Sequence, residues 1–266
     1  MKKIFFWFIA VVITLLTLVY QRMMGPTYPL PGKVSLAGRE IKFKLPRSEE
    51  ITRNCEVGVK VENLEITGRL LYMRFKTSDP WSEVPLTRQD GRLVGYLPKQ
   101  PMAGKLAYKV LLAFQEKEIS LSGEEPAIIR FKGAVPTAVL LCHILVIFAA
   151  MLFSIRGGIA AIDKGSNPRK YVPWAIGFLF VGGFILGPLM QKFAFGAWWT
   201  GFPLGTDLTD TKTLIAFLAW VAALIAGRRG KPARGWVLAA SLITLIIFLI
   251  PHSLLGSELK YTELTQ

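Results

Sequence analysis

Five long apolar runs punctuate the chain: Ile4 to Tyr20, Val135 to Ser154, Tyr171 to Met190, Thr213 to Gly227 and Trp236 to Ile250. Runs of this length read as transmembrane helices, although the last two reach the lower limit of ~17 residues only with their flanks. The first run follows Lys2 and Lys3 and exceeds the usual ~7–15 residues of a signal-peptide core. Gln21-Arg22-Met23-Met24 offers no small-x-small cleavage site, so a retained signal anchor is expected. Between Pro26 and Gly133 the period changes to two. Glu40 to Leu45, Gly68 to Phe75, Lys105 to Leu111 and Ala127 to Lys132 alternate apolar with polar residues. Turn residues at Gln89-Asp-Gly91, Pro98-Lys-Gln-Pro101 and Ser122-Gly123 separate such stretches. That pattern predicts an all-β sandwich.

The expected fold is therefore a membrane α-helical bundle of five transmembrane helices, with a β-sandwich inserted between helices 1 and 2. The expected segments are 1–22 (anchor), 27–133 (sandwich), 134–252 (four-helix transmembrane bundle) and 253–266 (tail). Gly183-Phe-Ile-Leu-Gly187, and the small residues Ala219, Ala223 and Gly227, suit close packing between helices in lipid. The short link Gly133-Ala-Val-Pro136 is expected to couple the sandwich to the bundle.

Composition supports the membrane reading: 52% of residues are apolar and 19% charged, against about 25% charged in ordinary soluble domains. The net charge of +14 raises the question of a nucleic-acid partner. Its distribution answers it. Lys2, Lys3, Arg156, Lys164, Arg169, Lys170, Arg228, Arg229, Lys231 and Arg234 fall in segments placed inside, where Asp163 is the one acid. Most of the excess is thus a positive-inside signal, and no polyanion is needed to explain it. The expected location is the bacterial inner membrane, multi-pass, with the N-terminus cytoplasmic and the sandwich and C-terminus extracytoplasmic. The two cysteines, Cys55 and Cys142, fall in different segments and are expected to be free thiols.

Candidate chemistry is sparse. His143 and His252 are the two histidines, both toward the outer ends of apolar runs. Ionisable residues in spans are functional candidates, and imidazole ligates haem and metals, so a haem b or a transition metal is one expectation. Asp207, Asp210 and Glu258 would complete a metal or acid–base cluster with them. The plainer reading has each histidine bonded to a neighbouring helix, with Thr209 or Asp210 as the N-cap of the fourth helix. The loop Phe193 to Asp210 carries Trp198, Trp199, Thr200 and Phe202 among three glycines and a proline. These are candidates for contact with a substrate or partner, or for an aromatic belt. No nucleophile elbow, phosphate-binding loop, His-Glu-x-x-His or Cys-x-x-Cys occurs, and a membrane hydrolase or transferase is the least supported reading.

Gly25-Pro-Thr-Tyr-Pro29, Tyr96-Leu-Pro-Lys-Gln-Pro101, Gly196 to Pro203, Asp207 to Lys212, Ile250-Pro-His-Ser253 and Gly256-Ser-Glu258 together resemble a group of uncharacterised bacterial multi-pass inner-membrane proteins. Their extracytoplasmic domain is similar to fibronectin III or immunoglobulin-like sandwiches. That resemblance implies no catalytic residue, because such folds host many functions. The expected role is non-enzymatic: a membrane-anchored binding, scaffold or accessory subunit whose sandwich positions a protein partner. The alternative is a metal- or haem-binding protein with its site near His143 and His252.

Overall fold

The computed structural model describes residues 1–228, 233–251, 256 and 258–261. It divides into a helical unit, Met1–Pro26 with Val135–Ser257, and a β unit, Thr27–Ala134 with the residues from Glu258 onward.

In chain order, helix α1 (Lys2–Met24) comes first and eleven strands follow. Four further helices follow among the described residues: α2 (Thr137–Ile162), α3 (Pro168–Phe195), α4 (Leu208–Arg228) and α5 (Arg234–Leu249). This corrects the expected five-span bundle with an inserted sandwich. The strands form three sheets rather than the two of a sandwich. Four of the helices, α1 to α4, are long and apolar enough to cross a membrane, whereas α5 has 16 residues. At 1.5 Å per residue α5 is about 24 Å long, short of a hydrocarbon core of ~30 Å.

The sheets follow local pairing rules. Strands β1 (Leu30–Leu36) and β2 (Arg39–Leu45) pair only with each other, through a turn with positive φ at Ala37 and Gly38. The largest sheet runs β3 (Ser48–Glu50), β11 (Ala127–Lys132), β9 (Lys105–Phe114), β5 (Thr67–Arg74), β6 (Ser82–Pro85), with β10 (Lys117–Ser120) also on β9. Strand β3 lies parallel to β11, an arrangement that no hairpin turn can close. The third sheet is β4 (Cys55–Lys60), β8 (Arg92–Leu97), β7 (Thr87–Gln89), in which Asp90 and Gly91 take the left-handed turn between β7 and β8. One core serves all three sheets: Phe43 and Leu45, Val57 and Leu97, and Leu70, Tyr108, Ile129 and Phe131 are buried together. Cys55 joins this core, where burial and the nearby Glu49 push its thiol up to about 12. It is a free and unreactive thiol; Cys142 is free and exposed.

Glu258 to Tyr261 rejoin the β unit. Leu259 N–H donates to the Ala103 carbonyl (3.1 Å), and Tyr261 hydroxyl reaches Gln100 Oε1 (2.9 Å) and the Lys105 carbonyl (3.1 Å). Glu258 pairs with Lys105 (2.8 Å) and Lys76 (3.2 Å). Burial pushes the Glu258 carboxyl up, but the bonds and charges of the two lysines outweigh it and hold the group below the usual glutamate range.

In the helical unit, Ala10, Met151, Ile155, Leu179, Ala216, Trp220 and Val237 form the core. Trp220 Nε1 donates to Thr244 Oγ1 (2.9 Å), joining α4 to α5. Helix α2 runs eight residues past the apolar stretch that predicts it. Its last carbonyls need donors, and Arg234 supplies them to Ala160, Ala161, Asp163, Lys164 and Ser166 at 2.7–3.2 Å. Helix α3 is not uniform: residues Phe180–Leu186 form a π-helical segment containing Gly182 and Gly183.

Candidate functional site

The densest polar cluster of the helical unit lies where α3 hands over to α4. Helix α3 ends at Gly196, whose φ of +82° is the left-handed C′ conformation that glycine adopts without strain. Trp199 then turns inward and stacks on Phe184 (5.5 Å between centroids), its Nε1 donating to the carbonyls of Gly201 (3.0 Å) and Phe202 (3.2 Å). Phe202–Pro203 is cis. The loop closes on α4, whose N-cap is Asp207: Oδ1 accepts from Thr209 N (2.7 Å) and its carbonyl from Thr211 N (3.1 Å). The expected caps, Thr209 and Asp210, therefore sit inside the helix.

Asp210 is thereby freed to hold the loop. Its Oδ2 accepts from Thr200 N (2.8 Å) and Gly201 N (3.1 Å), and the Gln191 amide donates to both its oxygens (3.0 and 3.2 Å). The Gln191 carbonyl in turn accepts the Thr200 hydroxyl, and Thr200 Oγ1 also lies 3.3 Å from Asp207 Oδ2. Lys212, buried on the next turn, donates to the Ile250 carbonyl (2.7 Å). Gly201 is required here: a Cβ would come within 2.4 Å of Asp210 Cβ and 2.7 Å of Thr211 N.

This geometry sorts the candidates read from the sequence. Asp207 and Asp210 do meet, on Thr200, but Asp210 spends Oδ2 on the loop amides and Oδ1 on Gln191 of α3, and Asp207 spends one oxygen on the helix start. Trp199 and Thr200 face inward as loop supports. Trp198, Phe202 and Leu204 face outward, 56%, 62% and 78% exposed, with Lys192 Nζ 5.9 Å from the Trp198 ring. Glu258 belongs to the β unit and its lysines. His143, on α2, lies against Gly187 of α3, where an added Cβ would stand 3.9 Å from its Cε1, and its Nδ1 is buried without a partner. His252 lies outside the described residues. Among the described residues no three His, Cys, Asp or Glu side chains gather as a metal ion would require.

Sequence reasoning missed Gln191, Lys212 and Arg156. Gln191 and Lys212 are polar residues flanking apolar runs, which reads as the edge of a span. Arg156 was read as part of a basic cytoplasmic turn, yet it lies inside α2 and is 1% exposed. The available signal was its position between Ile155 and Gly157-Gly158, small residues that let other helices close over it. Comparisons of the chain with protein-family models, curated proteins and solved structures find no match.

Proposed function

We propose that this chain is a membrane-anchored accessory protein of the bacterial cell membrane whose extracytoplasmic β unit holds a protein partner. The observation that carries the reading is the outer surface of the helices. Phe8, Leu15, Leu16, Leu145, Phe180, Ile185, Leu218 and Ile225 stand exposed along α1 to α4, a continuous apolar covering that water disfavours and lipid does not. Lys2, Lys3, Lys164, Arg169, Lys170 and Arg228 flank these helices on the side assigned to the cytoplasm. Glu258–Tyr261 docks on the β unit, which places these residues on that unit's side of the membrane and requires the short α5 to cross as well, with the bilayer thinning to its length. Partner contact is supported by the exposed Trp81, which precedes β6 at the end of the largest sheet. An exposed tryptophan beside an open strand edge has the character of an interface anchor.

Topology is tested in intact cells with a membrane-impermeant maleimide, on Cys142→Ala protein carrying either Glu116→Cys or Lys164→Cys. Labelling at 116 and protection at 164 until permeabilisation is the expected result. Equal labelling of both sites, or recovery of the protein in the soluble fraction, overturns the reading. A photo-crosslinker at Trp81 is then expected to trap one defined protein adduct, whereas adducts to lipid alone would refute the partner role.

A further inference from the structure

We infer that the helical unit binds the phosphate of an anionic phospholipid at Arg156; the inference rests on the membrane-spanning reading above. Arg156 lies six residues before the end of α2, about 9 Å along the axis. Its guanidinium is 1% exposed, and both Nε and Nη1 are buried without a hydrogen-bond partner. Three rings enclose it: Tyr171 at 4.8 Å, Phe6 at 5.5 Å and Trp7 at 5.7 Å from the guanidinium carbon. Cation–π contacts attract a desolvated cation, but stripping a guanidinium of water costs more than such rings return. The box is complete only with an anion.

Among the described residues no carboxylate fills that role. Asp163, seven residues on at the C-cap of α2, is held by Lys2 Nζ (3.0 Å) and Ser166 Oγ (2.6 Å). Two further cations instead sit on the rings of the box: Lys2 Nζ lies 5.7 Å from the Phe6 ring and Lys170 Nζ 5.0 Å from the Tyr171 ring. Three positive groups therefore meet around one aromatic enclosure near the basic end of the helices. Planar guanidinium donors suit phosphate oxygens, and basic pockets between helices on the cytoplasmic side bind lipid headgroups. A lipid source is favoured over free phosphate by Ile4, Phe5 and Phe8, which the first turns of α1 expose beside the box as a path for acyl chains. Because Arg156 is 1% exposed, entry of a headgroup requires those turns, which carry Phe6 and Trp7, to move aside.

The test uses the full chain, extracted from membranes and reconstituted in vesicles of phosphatidylcholine alone or with phosphatidylglycerol, with retained lipid read by native mass spectrometry. Wild type is expected to enrich phosphatidylglycerol about tenfold, a ratio equal to ~1.4 kcal/mol. Arg156→Gln is expected to bring that ratio to one, and Lys164→Gln, which removes an exposed charge outside the box, to leave it unchanged. Equal retention of the two lipids by wild type, or undiminished preference in Arg156→Gln, overturns the proposal. So does a thermal shift produced by inorganic phosphate alone in phosphatidylcholine vesicles, which would identify a soluble anion. If Arg156→Gln does not fold, the double variant Lys2→Gln with Lys170→Gln is read instead, and a severalfold loss of preference is expected. Absence from the membrane fraction would refute the spanning reading; membrane residence without lipid preference refutes this inference alone.

Discussion

Two carboxylates, Asp210 and Glu258, show how the same functional group takes different tasks in the two units. Asp210 is a hub: it accepts from two loop amides and from Gln191, all in a buried setting. Asp210→Ala leaves those donors unmet at about 1–3 kcal/mol each, and a loss of about 3 kcal/mol in total is expected after partial rehydration. Thermal unfolding of the detergent-purified protein measures it, and protease cleavage within 196–206 should accelerate in parallel. Glu258 is an ion-pair partner whose folded pKa lies below its unfolded value. Its contribution is therefore fully present at neutral pH and disappears as pH falls through the folded value. The difference in melting temperature between wild type and Glu258→Gln should be clear at pH 7, shrink as pH falls into the ordinary glutamate range of roughly 4, and vanish only below the lower folded value. A pH-independent difference would mean that the carboxylate charge is immaterial to the docking of the tail.

At the scale of elements, α3 is the instructive case. Gly187-Pro188 follows its π segment, and a proline ring in an ordinary α-turn would strike the carbonyl of Phe184. Widening the turn moves that carbonyl aside, and Gly187 N–H bonds back to Gly182 instead. The wide turn also brings Gly183 against α4, where a Cβ would meet Thr213 Cγ2 at 2.4 Å. Gly183→Ala is expected to cost about 1–3 kcal/mol by overpacking. Gly177→Ala on the same helix has open space around its Cβ and should be neutral or stabilising by up to about 1 kcal/mol. The pair of melting temperatures checks the argument, because equal effects would show that helix propensity rather than packing decides. The Gly183–Gly187 spacing was visible in the sequence as a packing motif; that it lay in and beside a π turn was not. Period-based reading assumes one helical pitch and cannot see a local change in it.

For the whole molecule, the C-terminal residues count as part of the β unit. A chain ending at Leu255 loses the Leu259 amide bond, both Tyr261 hydrogen bonds and the Lys105 ion pair. About 3 kcal/mol of the β unit's stability should go with them, taking about 1 kcal/mol per hydrogen bond. Hydrogen exchange on β9 and the 100–105 turn would report the loss, and unchanged protection would assign the tail no structural part. The pattern of hydrophobic runs cannot anticipate this return, since Glu258 to Tyr261 carries no period and the Glu258 and Tyr261 contacts are polar.

Hydrophobic patterning determined the elements. Runs of apolar residues place the helix ends within about five positions, except that α2 runs eight residues further, and the alternations at Glu40, Gly68, Lys105 and Ala127 fall on β2, β5, β9 and β11, because burial on one face imposes its period on the sequence. Free thiols and the concentration of basic residues were equally local facts. Tertiary structure alone decided the number of sheets, since which strand edges pair depends on residues as distant as Ser48 and Arg130. It also decided that Asp207 caps while Asp210 anchors, and that Arg156 is enclosed rather than solvated. Each of these turns on which neighbour reaches a polar group first, and a linear sequence does not contain that distance.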